Sequence, residues 1–188
     1  MSWASDKVYN SSPEECFAYD TGQPRDGAPG FPGEERWCWA TLESGANVLQ
    51  KRRLVRNAAG VNLLRGELCE LASGSVESVD AKGPLSMPNA LFAGIVPQGV
   101  NENRAAAIGL GAVGTVPTGY WFWAVVGGHV DVLPGAAAAI VVDSLLLPIA
   151  AGRVDDAAVA GLEHCIVGKS LEAAGAGVRF EMLCTVSL

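Results

Sequence analysis

The run Gly109-Leu-Gly111-Ala-Val-Gly114 has the spacing of the glycine turn that lets a dinucleotide's pyrophosphate approach the backbone, and Asp131 follows at a distance suited to a ribose contact. That turn holds phosphate only where a helix starts at the glycines and aims its amide end at the anion. Here Pro117 and Gly119 come next, followed by an aromatic run, so no length is left for the helix. The glycines are better read as a bend or a close backbone approach. Gly168-Lys169-Ser170 resembles the end of a phosphate loop, but the first glycine of that loop would fall where Glu163 stands.

Two histidines offer acid–base chemistry. His129 and Asp131, two apart, share one face of a strand, as a base and its orienting carboxylate would. No Gly-x-Ser-x-Gly elbow supplies them with a nucleophile. His164 lies between Glu163 and Cys165, but consecutive strand residues point apart and do not converge on a metal. Cys16, Cys38, Cys69, Cys165 and Cys184 are odd in number and contain no Cys-x-x-Cys pair, so they read as reduced, buried thiols rather than a disulfide framework or zinc site. Asn10-Ser-Ser12 is a glycosylation sequon by pattern alone. No catalytic residue, metal ligand or cofactor contact emerges, and the expectation is a protein that is not an enzyme and carries no cofactor.

The elements that would position any site point to strands. The 188 residues are 49% hydrophobic and 18% charged, with 23 glycines and 10 prolines, a texture of short segments joined by turns. From Gly60 onward, apolar runs of strand length are divided by Gly, Pro, Asn or Asp. They predict strands over 64–71, 90–96, 105–110, 120–126, 129–133, 138–142, 166–171 and 178–186, and a short helical turn over 155–163. In the last strand Val178, Phe180, Met182, Cys184 and Val186 share one face; with the turn signal Gly175-Ala-Gly177 before it, 166–186 reads as a hairpin. Gly127-Gly128 reads as a two-residue hairpin turn. The expected fold is all-β, a small barrel or sandwich over residues 58–188. Residues 1–57, polar and punctuated, are expected to form an extended N-terminal arm, with collagen-like Gly-x-y triplets from Gly27.

Charge limits the partners. The formal net charge is −7, with nine basic and twelve acidic residues over 1–90 and four and eight over 91–188. Neither half is basic, which argues against nucleic acid. The one basic cluster, Lys51-Arg52-Arg53-Leu-Val-Arg56, suits a solvated face or an acidic protein surface. The most apolar stretch, 130–151, is broken by Asp131, Pro134, Gly135, Asp143 and Pro148, short of the roughly 18 residues of a membrane helix. The start of the chain has no apolar core of a signal peptide. A soluble protein without a membrane partner is expected.

Tyr120-Trp121-Phe122-Trp123-Ala-Val-Val126 shows no alternation, so both faces of this strand need apolar cover. One face can serve the domain core. For the other, a sister subunit is expected, which makes Tyr120, Trp121, Phe122 and Trp123 candidates for self-association.

The order of segments, Gly66-Glu-Leu-Cys-Glu-Leu71, Phe92-Ala-Gly-Ile-Val96, Tyr120 to Val132, Leu145 to Val154 and above all Val167-Gly-Lys-Ser-Leu-Glu-Ala-Ala174 with its turn and alternating last strand, is similar to the capsid decoration (cement) proteins of tailed bacteriophages. The resemblance implies a structural virion protein, made in the host cytoplasm, that sits on the outer capsid surface as a homotrimer and clamps neighbouring major capsid protein subunits. Its partners would be that capsid protein and itself. Trp3, Trp37 and Trp39 are then candidate anchors on the shell, and Lys51, Arg52, Arg53 and Arg56 candidates for its acidic patches. Another virion part, such as a head fibre base or tail component, and a carbohydrate-binding module using Trp121 or Trp123 are the alternatives.

Overall fold

Phe180, Met182 and Cys184 are buried while Glu181 and Leu183 between them are half-buried, the alternation the sequence predicts for its final strand. The computed structural model describes residues 32–72, 80–84, 92–97, 114–135, 139–156 and 165–185. It is all-β, as expected. In chain order the strands are β1 (Glu35–Thr41), β2 (Asn47–Asn57), β3 (Leu63–Leu64), β4 (Leu68–Leu71), β5 (Asp80–Pro84) and β6 (Phe92–Ile95). They continue with β7 (Thr115–Val116), β8 (Trp121–Val132), β9 (Leu145–Ile149), β10 (Arg153–Asp156), β11 (Gly168–Ser170) and β12 (Phe180–Cys184). A single tight turn, Ala150–Gly152, links β9 to β10. Among the described residues no helix is long and apolar enough to cross a membrane.

Ten strands form one sheet in the order β1-β2-β5-β4-β6-β8-β12-β11-β9-β10, with β2 also paired to β8; β3 and β7 make a separate pair. The far end curls back on itself. Val154 of β10 bridges Pro134, just past β8, with the Val154 amide donating to Leu133 O at 3.0 Å and Gly135 N to Val154 O at 2.8 Å. The side chains enclosed by this curl, among them Val130, Val132, Leu146, Val154, Val167, Phe180 and Met182, form one core; Val55, Leu63, Cys69, Ala93, Phe122 and Ala124 belong to a second. The hairpin expected over 166–186 is present as β11 and β12, paired Gly168 to Cys184 and Ser170 to Met182.

Three expectations need correction. Residues 35–57 belong to the sheet, not to an arm: β1 and β2 form a hairpin, and β2 pairs with β8 from Gln50 to Arg56. The polar appearance of this stretch misleads because its buried polar groups are matched by hydrogen bonds, as described below. Residues 1–31 lie outside the described residues, as do the strand expected over 105–110 and the glycines at 109 and 111.

Second, Gly127-Gly128 is not a turn. β8 runs through it for twelve residues, and the register with β2 slips between Lys51 and Arg52, so the glycines sit beside a bulge. Gly128 has φ +90°, and a Cβ there would come within 2.5 Å of Leu49 O. Third, Asp155 stands in strand β10 rather than at the head of a helical turn, and 157–164 are outside the described residues.

Candidate functional site

The hairpin of β1 and β2 turns at Glu43–Ala46, where Leu42 N donates to Ala46 O at 2.9 Å and Gly45 takes φ +84°. Its two faces differ. On the inner face Cys38, Ala40 and Gln50 are buried; on the outer face Glu35, Trp37, Trp39, Thr41, Asn47 and Leu49 are exposed. Trp37 keeps 43%, Trp39 51% and Leu49 36% of its surface open to solvent. Trp39 lies directly opposite Leu49 across the ladder, and Trp37 opposite Lys51.

This apolar centre has a polar border. At one end Lys51 Nζ meets Glu35 Oε2 at 2.6 Å, and at the other Thr41 Oγ1 donates to Asn47 Oδ1 at 2.9 Å. An aromatic centre with a hydrogen-bonded rim is the usual anatomy of a protein-docking patch, in which a few large rigid side chains carry most of the binding energy.

The turn is held to the rest of the sheet. Glu43 N donates to Asp131 Oδ2 at 2.8 Å, and the Glu43 carboxylate pairs with Arg179 at 2.6 Å and with Arg65 at 3.8 Å. Burial pushes the Asp131 carboxyl above its ordinary value, against the Glu43 amide that favours its charge; the carboxylates of Glu43, Glu181 and Glu172 push it further up.

The basic cluster does not form a cationic surface, which corrects the expected contact with acidic patches. Arg52 is fully buried and Arg53 nearly so. Arg52 donates to Gln50 Oε1 from Nε at 2.9 Å and from Nη2 at 2.7 Å, and Gln50 in turn donates to the His129 carbonyl at 2.5 Å. Arg56 forks onto Asp80, with Nε to Oδ1 at 2.8 Å and Nη2 to Oδ2 at 2.7 Å; that hydrogen bonding holds its pKa above the usual guanidinium value. Lys51 reaches solvent, already paired with Glu35.

The aromatic ribbon is sealed within one protomer, which corrects its assignment to self-association. Trp121, Phe122 and Trp123 are at most 3% exposed and Tyr120 is half-buried. Phe122 enters the second core, while Trp121 and Trp123 pack with Leu54. Arg36, placed opposite Arg52, lays its guanidinium 4.0 Å from the Trp123 ring centre, and Arg56 lies 5.9 Å from that of Trp121. The cover expected from a sister subunit thus comes from the hairpin of the same chain. A sugar-stacking role for Trp121 or Trp123 loses its platform for the same reason.

Trp3 lies outside the described residues. Of the nominated anchors, the structure brings Trp37 and Trp39 together on one exposed face. Leu49, the third member of that patch, was missed; its signal was the alternation Leu49, Lys51, Arg53 along β2. His129 and Asp131 do share a strand, but His129 Nδ1 contacts Glu181 Oε1 at 2.5 Å whereas Asp131 accepts the Glu43 amide, so they do not act as a pair. Gly168-Lys169-Ser170 is strand β11: Lys169 pairs with Asp143 at 2.8 Å, and the Ser170 hydroxyl donates to Val141 O at 2.6 Å. Among the described residues no three His, Cys, Asp or Glu side chains gather as metal ligands would, and Cys38, Cys69, Cys165 and Cys184 are buried without disulfides.

Comparison with protein-family models finds no match, and comparison with curated proteins finds none either. Among solved structures, the chain is similar to the N base of the head fiber gp8.5 of bacteriophage phi29, at 13% identity and a TM-score of 0.43, over 70% of this chain and 91% of that one. At this level the similarity is a general arrangement of strands.

Proposed function

We propose that this protein is a structural component of a tailed-phage virion that docks on the outer capsid surface through the exposed face of its β1–β2 hairpin. The virion assignment rests on the sequence resemblance to capsid decoration proteins. The observation that carries the docking role is the Trp37, Trp39 and Leu49 patch bordered by the Glu35–Lys51 and Thr41–Asn47 pairs. Gripping a shell requires area, shape and rigidity. Two indoles fixed on a paired strand provide all three at little entropic cost, because the backbone beneath them is already ordered. The binding energy on this reading is apolar, since the cations of the hairpin are satisfied within the chain. Binding should therefore depend only weakly on salt.

Rebinding of the purified protein to phage particles stripped of it tests the reading. The wild-type chain is expected to co-sediment with the particles across a range of ionic strength. The double variant Trp37→Ala/Trp39→Ala should lose affinity at least tenfold, while Lys51→Ala should change it less than threefold. Unaltered rebinding by the double variant would remove the patch from the interface. Absence of the protein from purified virions would remove the virion role altogether.

A further inference from the structure

We propose that Asp131 and the turn Glu43–Ala46 form a proton-responsive latch, which holds the tip of the β1–β2 hairpin to β8 more firmly in mildly acidic than in neutral solution. The backbone ladder between β2 and β8 runs from Arg56 to Gln50, level with Gly128, and ends there. Past that point a side chain takes over. Asp131, farther along β8, accepts the Glu43 amide at 2.8 Å. Trp39 and Leu49 of the exposed patch lie on the part of the hairpin beyond the last rung, so what fastens the tip also steadies the patch.

Asp131 is 4% exposed, and its surroundings are mostly of its own sign. Glu181 stands directly opposite it on β12 and so shares its face of the sheet. The Glu172 carboxylate accepts the Glu181 amide at 2.8 Å, and Glu43 brings its own carboxylate along with its amide. Against these four carboxylates stand Arg179 and Arg65, paired with the Glu43 carboxylate at 2.6 and 3.8 Å. His129, on the same face of β8, contacts Glu181 through Nδ1. Glu67, beside the Gly66 turn that packs on the Asp131 backbone, accepts the Leu64 amide instead and lies in the field of Arg153.

Four carboxylates against two guanidiniums leave this group short of positive charge. The most buried of the four gains most from a proton. Burial first, and then the neighbouring carboxylates, raise the Asp131 carboxyl above its ordinary value. When the tip opens, Asp131 regains water and parts from Glu43, so its proton is held more tightly in the closed form than in the open one. The closed form is therefore favoured most where the proton is bound, and this advantage fades as pH rises from the ordinary carboxylate range through the raised value. A neutral carboxyl still offers an oxygen to the Glu43 amide, so protonation does not undo the bond that makes the latch.

Hydrogen exchange on the full chain, expressed as protection relative to an unstructured peptide at each pH, tests the latch through the Glu43 amide itself. Protection at Glu43 is expected to fall by roughly threefold or more between the ordinary carboxylate range and neutral pH, following the ratio of proton affinities of the closed and open forms. Amides of the β8–β12 ladder should change by less than about twofold, because a local opening leaves them paired. Asp131→Asn keeps the acceptor without the charge. It should hold Glu43 as well protected at neutral pH as the wild-type chain does in acid, with no pH response. Glu43→Gln removes a like charge from beside Asp131 and leaves the amide in place; it should move the response to lower pH, which decides the matter should Asp131→Asn not fold. The measurement needs only the purified chain, so its outcome is separate from that of docking on a shell. A flat Glu43 profile in the wild-type chain, a response that survives Asp131→Asn, one that Glu43→Gln leaves unshifted, one abolished by His129→Gln, or an equal loss of protection throughout the sheet would each overturn the proposal.

Discussion

Trp37-Cys-Trp39 and Trp121-Phe-Trp123 have the same spacing and opposite fates. The first pair is about half exposed on β1; the second is nearly inaccessible on β8. The sequences are alike, but the neighbours are not. β8 is flanked by β2 on one side and by β6 and β12 on the other, and its faces are covered by the second core and by Leu54 and Arg36. β1 pairs with β2 on one side, and Trp37 and Trp39 on its outer face stay about half open to solvent. Position in the sheet, rather than apolar content, decides which tryptophans hold the fold and which remain available for contact.

The comparison breaks most sharply under truncation. Trp123→Ala should cost about 3–5 kcal/mol in denaturant unfolding, as for a large aromatic deleted from a packed interior. Trp39→Ala should cost less than about 1 kcal/mol, as for a surface site. Equal losses at the two positions would mean that the β1 face is covered after all.

A second contrast lies within the basic cluster. Arg52→Ala strips the buried Gln50 oxygen of two donors and should cost about 1–3 kcal/mol. Its neighbour Lys51, half-exposed and paired with Glu35, should cost less than about 1 kcal/mol when changed to Ala. Urea titration of the two variants side by side measures the difference. Gly128→Ala sharpens the role of β8 itself. A methyl at φ +90° facing the Leu49 carbonyl should destabilise by about 1–2 kcal/mol, read as a lower unfolding midpoint.

The smallest effect concerns the turn that anchors the exposed tryptophans. The Asp131 carboxyl titrates above its ordinary value in the folded chain, so the folded state binds its proton more tightly than the unfolded state does. Its contribution to stability is therefore greatest at low pH and falls as pH rises from the ordinary carboxylate range through the raised value. Asp131→Asn keeps an acceptor for the Glu43 amide and removes the buried charge. It should raise the neutral-pH melting temperature slightly and flatten its dependence on pH across that window.

Much of the fold is legible because β12 and its hairpin obey simple alternation and lie where one face is wet. The ribbon over 120–126 shows that both its faces are covered, but nothing in its residues says by whom. Its lid includes Arg36 and Arg56, which lie far from it in the sequence on a hairpin that looks polar. The same hairpin was mistaken for an arm because Gln50, Arg52 and Arg53 break the apolar pattern. Arg52 is buried against Gln50 two positions away, and Gln50 in turn bonds the His129 carbonyl, distant in sequence, which no local pattern announces. Gly127-Gly128 was ambiguous for a different reason, since a bulge and a two-residue turn draw on the same glycine conformations. Trp37 and Trp39 could be nominated by type alone; the exposure that makes them a patch depends on β1 standing at the end of the sheet.

β8 supplies rungs to the hairpin from Trp121 to Gly128 and to β12 from Gly128 to Val132. A load applied to Trp37 or Trp39 along the strand direction would pass through β2 into this one shared strand as shear along many rungs, rather than peeling them apart singly. The hairpin and the curled end of the sheet share that strand and would therefore resist such a pull together.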